Sequence, residues 1–146
     1  MNALAKVVTR EQVVRLQAEM AKMPQVELPT DHYFADGMYC RTVFQPAGSL
    51  VVGKLHRQEH FYIVCSGTIQ VTTDKGLEEI TGPSVIVSKP GAKRAILAVT
   101  DVTYLTVHRT DLTDVEDIER VVIELEPEAP VMLDARNQIK QKELTK

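Results

Sequence analysis

Apolar and polar positions change their period twice along this chain. Over residues 10–23, Val13, Leu16, Met20 and Met23 recur at helical spacing. Thr9 and Gln12 ahead of them have the form of a capping box, and Pro24 ends the run. Residues 24–37 hold Pro29, Asp31, Asp36 and Gly37 and read as an irregular lead-in, in which His32, Tyr33 and Phe34 are expected to seal a sheet edge. From Met38 onward the pattern shortens to that of strands. Eight are predicted, over 38–44, 49–56, 60–65, 67–73, 77–80, 84–88, 95–99 and 103–109, with Gly, Pro and Asp turns between them. No helical pattern interrupts them, so the expected architecture is mainly β, an antiparallel sandwich or barrel. A second helix is predicted from Asp114 to about Glu124, capped by Thr113, with Val115, Ile118 and Val122 inward. Residues 126–146 are polar, contain Pro127 and Pro130, and read as a loose tail. The resulting division is 1–37 lead-in, 38–110 β region, 111–125 helix and 126–146 tail.

With 146 residues the chain is long enough for one domain with one core. A net charge of -3 provides no basic footprint, so no nucleic-acid partner is expected. The start of the chain lacks an apolar leader and no run approaches membrane-spanning length, which points to a cytoplasmic protein without a membrane partner. Cys40 and Cys65 sit in apolar strand contexts and are expected to be reduced core residues rather than a disulfide.

The candidate chemistry lies in 48–67, GSLVVGKLHRQEHFYIVCSG. Two predicted strands flank a charged connection, and His56 and His60 bracket it. Lys54 stands two residues before His56 and therefore on the same strand face. A lysine and two imidazoles in apolar strands cost free energy to bury unless they have a partner or a use. The spacing resembles the first motif of the cupin superfamily, which is Gly, five residues, His-x-His, three or four residues, Glu, six residues, Gly. Gly48, His56 and Gly67 match it, while Lys54 stands at the first histidine and His60 at the glutamate. The stretch GPSVIVSKPGAKRAIL resembles the second motif, with Gly82 and Pro90-Gly91 at its turns and Arg94 at its histidine. The resemblance covers about 44–108. It implies a single cupin-type antiparallel β-barrel, a jelly roll, with an N-terminal helix and a short C-terminal helix. KLHRQEHFYIV followed by SKPGAKR also looks like small cupin-like proteins encoded by bacteriophages, a setting that implies action on a host metabolite or signal in the host cytoplasm.

Cupins commonly hold iron, manganese, nickel or zinc through three histidines and a carboxylate. This sequence keeps few of those ligands, and protonated lysine and arginine have no lone pair for a metal. The preferred reading is therefore a cationic pocket in which Lys54 and Arg94 neutralise a small anionic molecule (a nucleotide, sugar phosphate or carboxylate), oriented by His56, His60 and Tyr62. No cofactor is required on that reading. The alternative is a divalent transition metal (Zn, Fe, Mn or Ni) held by His56, His60 and His108, in an enzyme of dioxygenase or isomerase type. A metal-free isomerase would instead pair one of the histidines with Tyr62 or Tyr104 as acid. A third reading is a dimerisation scaffold with a vestigial pocket, and a homodimer is the expected assembly. Nothing resembles a nucleophile elbow, a phosphate loop or a CxxC pair.

Overall fold

The computed structural model of the protein describes residues 9–73, 75–123 and 138–140. In chain order its elements are α1 (Arg10–Met20), β1 (Thr30–Ala35), β2 (Met38–Gln45), β3 (Ser49–Val52), β4 (His60–Ser66), β5 (Thr68–Thr73), β6 (Gly76–Thr81), β7 (Ser84–Ser88), β8 (Ala95–Ala98), β9 (Val102–Arg109), α2 (Val115–Val122) and β10 (Gln138–Lys140). The strands form two five-stranded sheets, in the orders β1-β2-β9-β4-β7 and β10-β3-β8-β5-β6, and every pairing is antiparallel. The predicted β class and the two helices therefore hold, with the strands arranged as the two sheets of a jelly roll.

Alternation along the strands builds the core. In β4 the inward residues His60, Tyr62 and Val64 are buried while Phe61 is exposed. Val43, Val64 and Val102 of the first sheet meet Val51, Ile69, Val71 and Ile96 of the second in one apolar cluster. On the outer side of the second sheet, α1 lays Val13 and Met20 on Leu50, Val52 and Leu97. The capping box of Thr9 and Gln12 starts that helix as predicted. Gly67, with φ of +89°, makes the β4–β5 turn, where a Cβ would run into the Asp101 carbonyl oxygen.

Several sequence expectations change. The lead-in contains a strand, β1, whose register sets His32 opposite Arg41 and Phe34 opposite Tyr39. Asp114 rather than Thr113 caps α2, its side chain accepting from the Asp117 N–H. The strand predicted over 49–56 stops at Val52, and His56 makes only an isolated bridge to Ile123. Three residues of the predicted tail pair with β3 and satisfy its open edge. The remainder of the tail lies outside the described residues. Both cysteines are free, as expected, but Cys65 is exposed, because it follows inward Val64 and so points out.

Candidate functional site

Three histidines meet at the end of the inter-sheet space that α2 borders. His60 opens β4 and points inward with Tyr62. His108 lies near the end of β9, on the buried face that also carries Val102 and Tyr104. His56 comes from the connection after β3 and is pinned through its backbone. It bridges to Ile123, its carbonyl accepts from the Gly91 N–H at 2.9 Å, and the Arg57 N–H next to it donates to the Val122 carbonyl at 2.7 Å. In α2, Ile118 and Val122 pack on Tyr39, which stacks on His108 with ring centroids 5.9 Å apart. The helix thus positions both His56 and His108.

Ring centroids lie 4.4 Å apart for His56–His60 and for His60–His108, and 5.4 Å apart for His56–His108. One ring nitrogen from each histidine falls within 4.8 Å of the others. Among the described residues no carboxylate or thiol joins them. His56 Nδ1 lies 3.0 Å from the Lys54 carbonyl oxygen and His60 Nδ1 3.1 Å from that of Gln58. A carbonyl only accepts, so both Nδ1 atoms carry the proton and both Nε2 atoms keep a lone pair. His108 Nδ1 is buried and without a hydrogen-bond partner among the described residues.

All three rings are neutral near pH 7. Burial, followed by the nearby His60 and His108, brings His56 down from 6.5 to about 3. Burial and then His60 and Arg41 bring His108 down to about 4. His60 is also lowered, by burial first and by the Arg94 charge, against the Gln58 hydrogen bond.

The residues singled out from the sequence take different places. His56, His60 and His108 come together. Tyr62 lies on the inner face beside His60, buried and stacked on Tyr104 at 5.0 Å, with its hydroxyl unpartnered among the described residues. Burial raises the phenol pKa of Tyr62 well above 10 and also raises that of Tyr104, so both stay protonated. Arg94 is near enough for its charge to act on His60 and Tyr62. Lys54 has a different partner: its Nζ sits 2.9 Å from Glu119 Oε2 and ties the connection to α2. Arg41 escaped the sequence reading. It shares the inward parity of Tyr39 and Val43 on β2, and its charge acts on His56, His108, Tyr39 and Tyr104. That parity was the signal available in MYCRTVF.

Imidazoles suit zinc, iron, nickel or copper, and the donor set fits such an ion. Two donors are locked by backbone carbonyls in the way metal-bound histidines are, and the third carries a buried nitrogen without a partner among the described residues. Ligands about 2.0–2.1 Å from a tetrahedral ion lie roughly 3.3 Å apart, so the rings need to draw together by side-chain rotation.

No known family profile matches the chain, and no curated protein matches it in sequence. Solved structures do resemble it. A cupin superfamily protein from Desulfitobacterium hafniense is 14% identical with a TM-score of 0.50, over 64% of this chain and 87% of that one. A DMSP lyase from Ruegeria pomeroyi is 16% identical with a TM-score of 0.50, over 60% of this chain and 49% of that one. At these identities the likeness concerns the fold, which is that of the cupins. Among the described residues no helix is long and apolar enough to cross a membrane.

Proposed function

We propose that this cupin-fold protein holds a divalent transition metal through His56, His60 and His108 and presents it to a small anionic molecule in the polar end of the sandwich. The observation that carries the reading is the convergence of three neutral imidazoles, two with Nδ1 committed to backbone carbonyls, on a volume less than 5 Å across. Three protein ligands leave positions open for water or substrate, as catalytic rather than structural sites do. The metal would supply Lewis acidity there. The charges of Arg41, which acts on His108, and Arg94, which acts on His60, favour an anion. The cationic pocket first expected around Lys54 and Arg94 is thereby recast around the arginines.

The test is metal analysis with native mass spectrometry of the purified protein. The expected result is about one equivalent of zinc, iron, nickel or copper per chain, lost on His60→Ala or His108→Ala. A metal-free protein that also fails to take up added Zn²⁺ removes the reading. The same spectra give the assembly. The homodimer reading is supported by an uncovered apolar row on the outer side of the first sheet, where the register aligns Val87, Phe61, Val107, Cys40 and Tyr33.

A further inference from the structure

Arg41 is a cation on the inner face of a β-sandwich, partly buried, and it makes no ion pair among the described residues. Its neighbours are fixed by register. Tyr39 stands opposite His108 and Arg41 opposite Thr106, so Arg41 and His108 are diagonal neighbours on paired strands. Such diagonals lie about 7–8 Å apart. Two further polar atoms on the same inner face lack partners among the described residues. Tyr62 Oη and His108 Nδ1 are both buried, on residues 6% and 4% exposed. A protonated phenol with no acceptor and a guanidinium with no carboxylate both call for an acceptor that the described chain does not contain. An apolar ligand would leave these groups unsatisfied, whereas an anionic group accepts from both and offsets the Arg41 charge.

We infer that Arg41 binds the carboxylate of a small acid whose other end reaches the metal at His56, His60 and His108, with Tyr62 Oη donating a hydrogen bond to the same ligand. The inference rests on the metal reading for the second attachment only. The planar fork of Arg41 matches a carboxylate in two parallel hydrogen bonds, which a lysine cannot reproduce. Arg41 and His108 stand close enough for one small dicarboxylate to span guanidinium and imidazoles.

Malonate and inorganic phosphate serve as probes, titrated calorimetrically into the zinc-loaded and the metal-free full chain. Malonate is expected to bind the zinc-loaded protein. Arg41→Gln should weaken it at least tenfold with zinc stoichiometry unchanged, and Arg41→Lys, which keeps the charge, should lie between. Thermodynamic reciprocity requires malonate to tighten zinc binding by the same factor as zinc tightens malonate, which gives a readout on the metal itself. Equal malonate affinity in wild type and Arg41→Gln overturns the inference, as does zinc-loaded wild type that takes no malonate. Arg41-dependent binding of phosphate without malonate also overturns it, by changing the ligand class. If the wild type takes no zinc, the metal reading fails by itself. Arg41-dependent malonate binding to the metal-free chain then preserves the carboxylate assignment, and its absence removes that too.

Discussion

Between the same two sheets lie an apolar centre and a polar end, built by different rules. In the centre, Val64, Ile69, Val71 and Val102 are almost fully buried, and each is placed by simple alternation along its own strand. At the end, His56, His60, His108 and Arg41 come from a connection and three strands, and α2 has to pack on Tyr39 and pair with residues 56–57 to hold them. The stacked Tyr62–Tyr104 pair belongs to the apolar cluster, and Tyr62 shares its strand face with His60. The centre stabilises the fold through area and packing. The end gives up some of that gain, since buried imidazoles and a phenol without a partner among the described residues oppose folding until something binds.

The largest effect expected is in the centre. Ile69→Ala removes a fully buried side chain from the inter-sheet cluster and should cost about 2–5 kcal/mol in urea unfolding. Metal stoichiometry of the folded fraction should not change, because Ile69 lies on β5 of the second sheet while His60 and His108 lie on the first and His56 on the connection after β3. A cost below about 1 kcal/mol, or loss of metal in the folded protein, would break the separation of the two regions.

Acid should act on the other end. In the metal-free folded chain His56 and His108 titrate at about 3 and about 4, against 6.5 when unfolded. Below pH 6.5 the unfolded chain takes up protons that the folded chain refuses, so stability is complete above pH 6.5 and falls as the pH drops towards 4. Each such group contributes up to roughly 1.4 kcal/mol per pH unit, and the loss by pH 4 should be a few kcal/mol. Urea midpoints from pH 7 to 4 measure it. His108→Gln should flatten the slope and Ile69→Ala should not. Stability that stays level between pH 7 and 5 would show the imidazoles to be solvated.

A smaller and opposite effect is expected at His108 in the metal-free protein. Its buried Nδ1 has no partner among the described residues, so His108→Leu removes an unsatisfied polar atom while keeping bulk. Replacement of this kind is neutral or stabilising by about 1 kcal/mol. Melting of the metal-free variant should therefore shift up by a few degrees at most, with metal uptake lost. A marked fall would mean that the stack of His108 on His60 and Tyr39 supports the fold rather than a ligand.

This contrast also explains what could be read from the residues. Strands with strict alternation and Gly or Pro boundaries, such as 60–65 and 84–88, were legible, because period and turn chemistry are local. β1 was not, because Pro29, Asp31 and Asp36 hide a strand whose partner, β2, lies beyond a tight turn. His56 and His60 stood out as polar residues in apolar runs. Arg41 did not, since both faces of MYCRTVF carry apolar residues, and its parity with Tyr39 and Val43 marks a site only once β9 pairs with β2 and sets it diagonal to His108. Lys54 misled for the converse reason. Strand parity put it beside His56, but the strand ends at Val52, and Glu119, 65 residues away in sequence, takes its charge.

The Lys54–Glu119 pair carries the smallest prediction and the finest distinction. Both side chains are mostly covered, 25% and 20% exposed, and the 2.9 Å contact joins the His56 connection to α2. Removing one partner leaves the other charge partly buried, so single changes should cost more than the pair contributes. A double-mutant cycle with Lys54→Met and Glu119→Gln should return a coupling of about 0.5–1 kcal/mol. Ligand binding should respond differently. If Lys54 acts only by anchoring the connection, Lys54→Met leaves malonate affinity within about twofold while Arg41→Gln lowers it at least tenfold. Equal losses in the two variants would return Lys54 to the anion pocket and make Glu119 a partner that the ligand displaces. With Arg41 alone responsive, the two cations are divided: one holds the polar end closed, and the other faces into it.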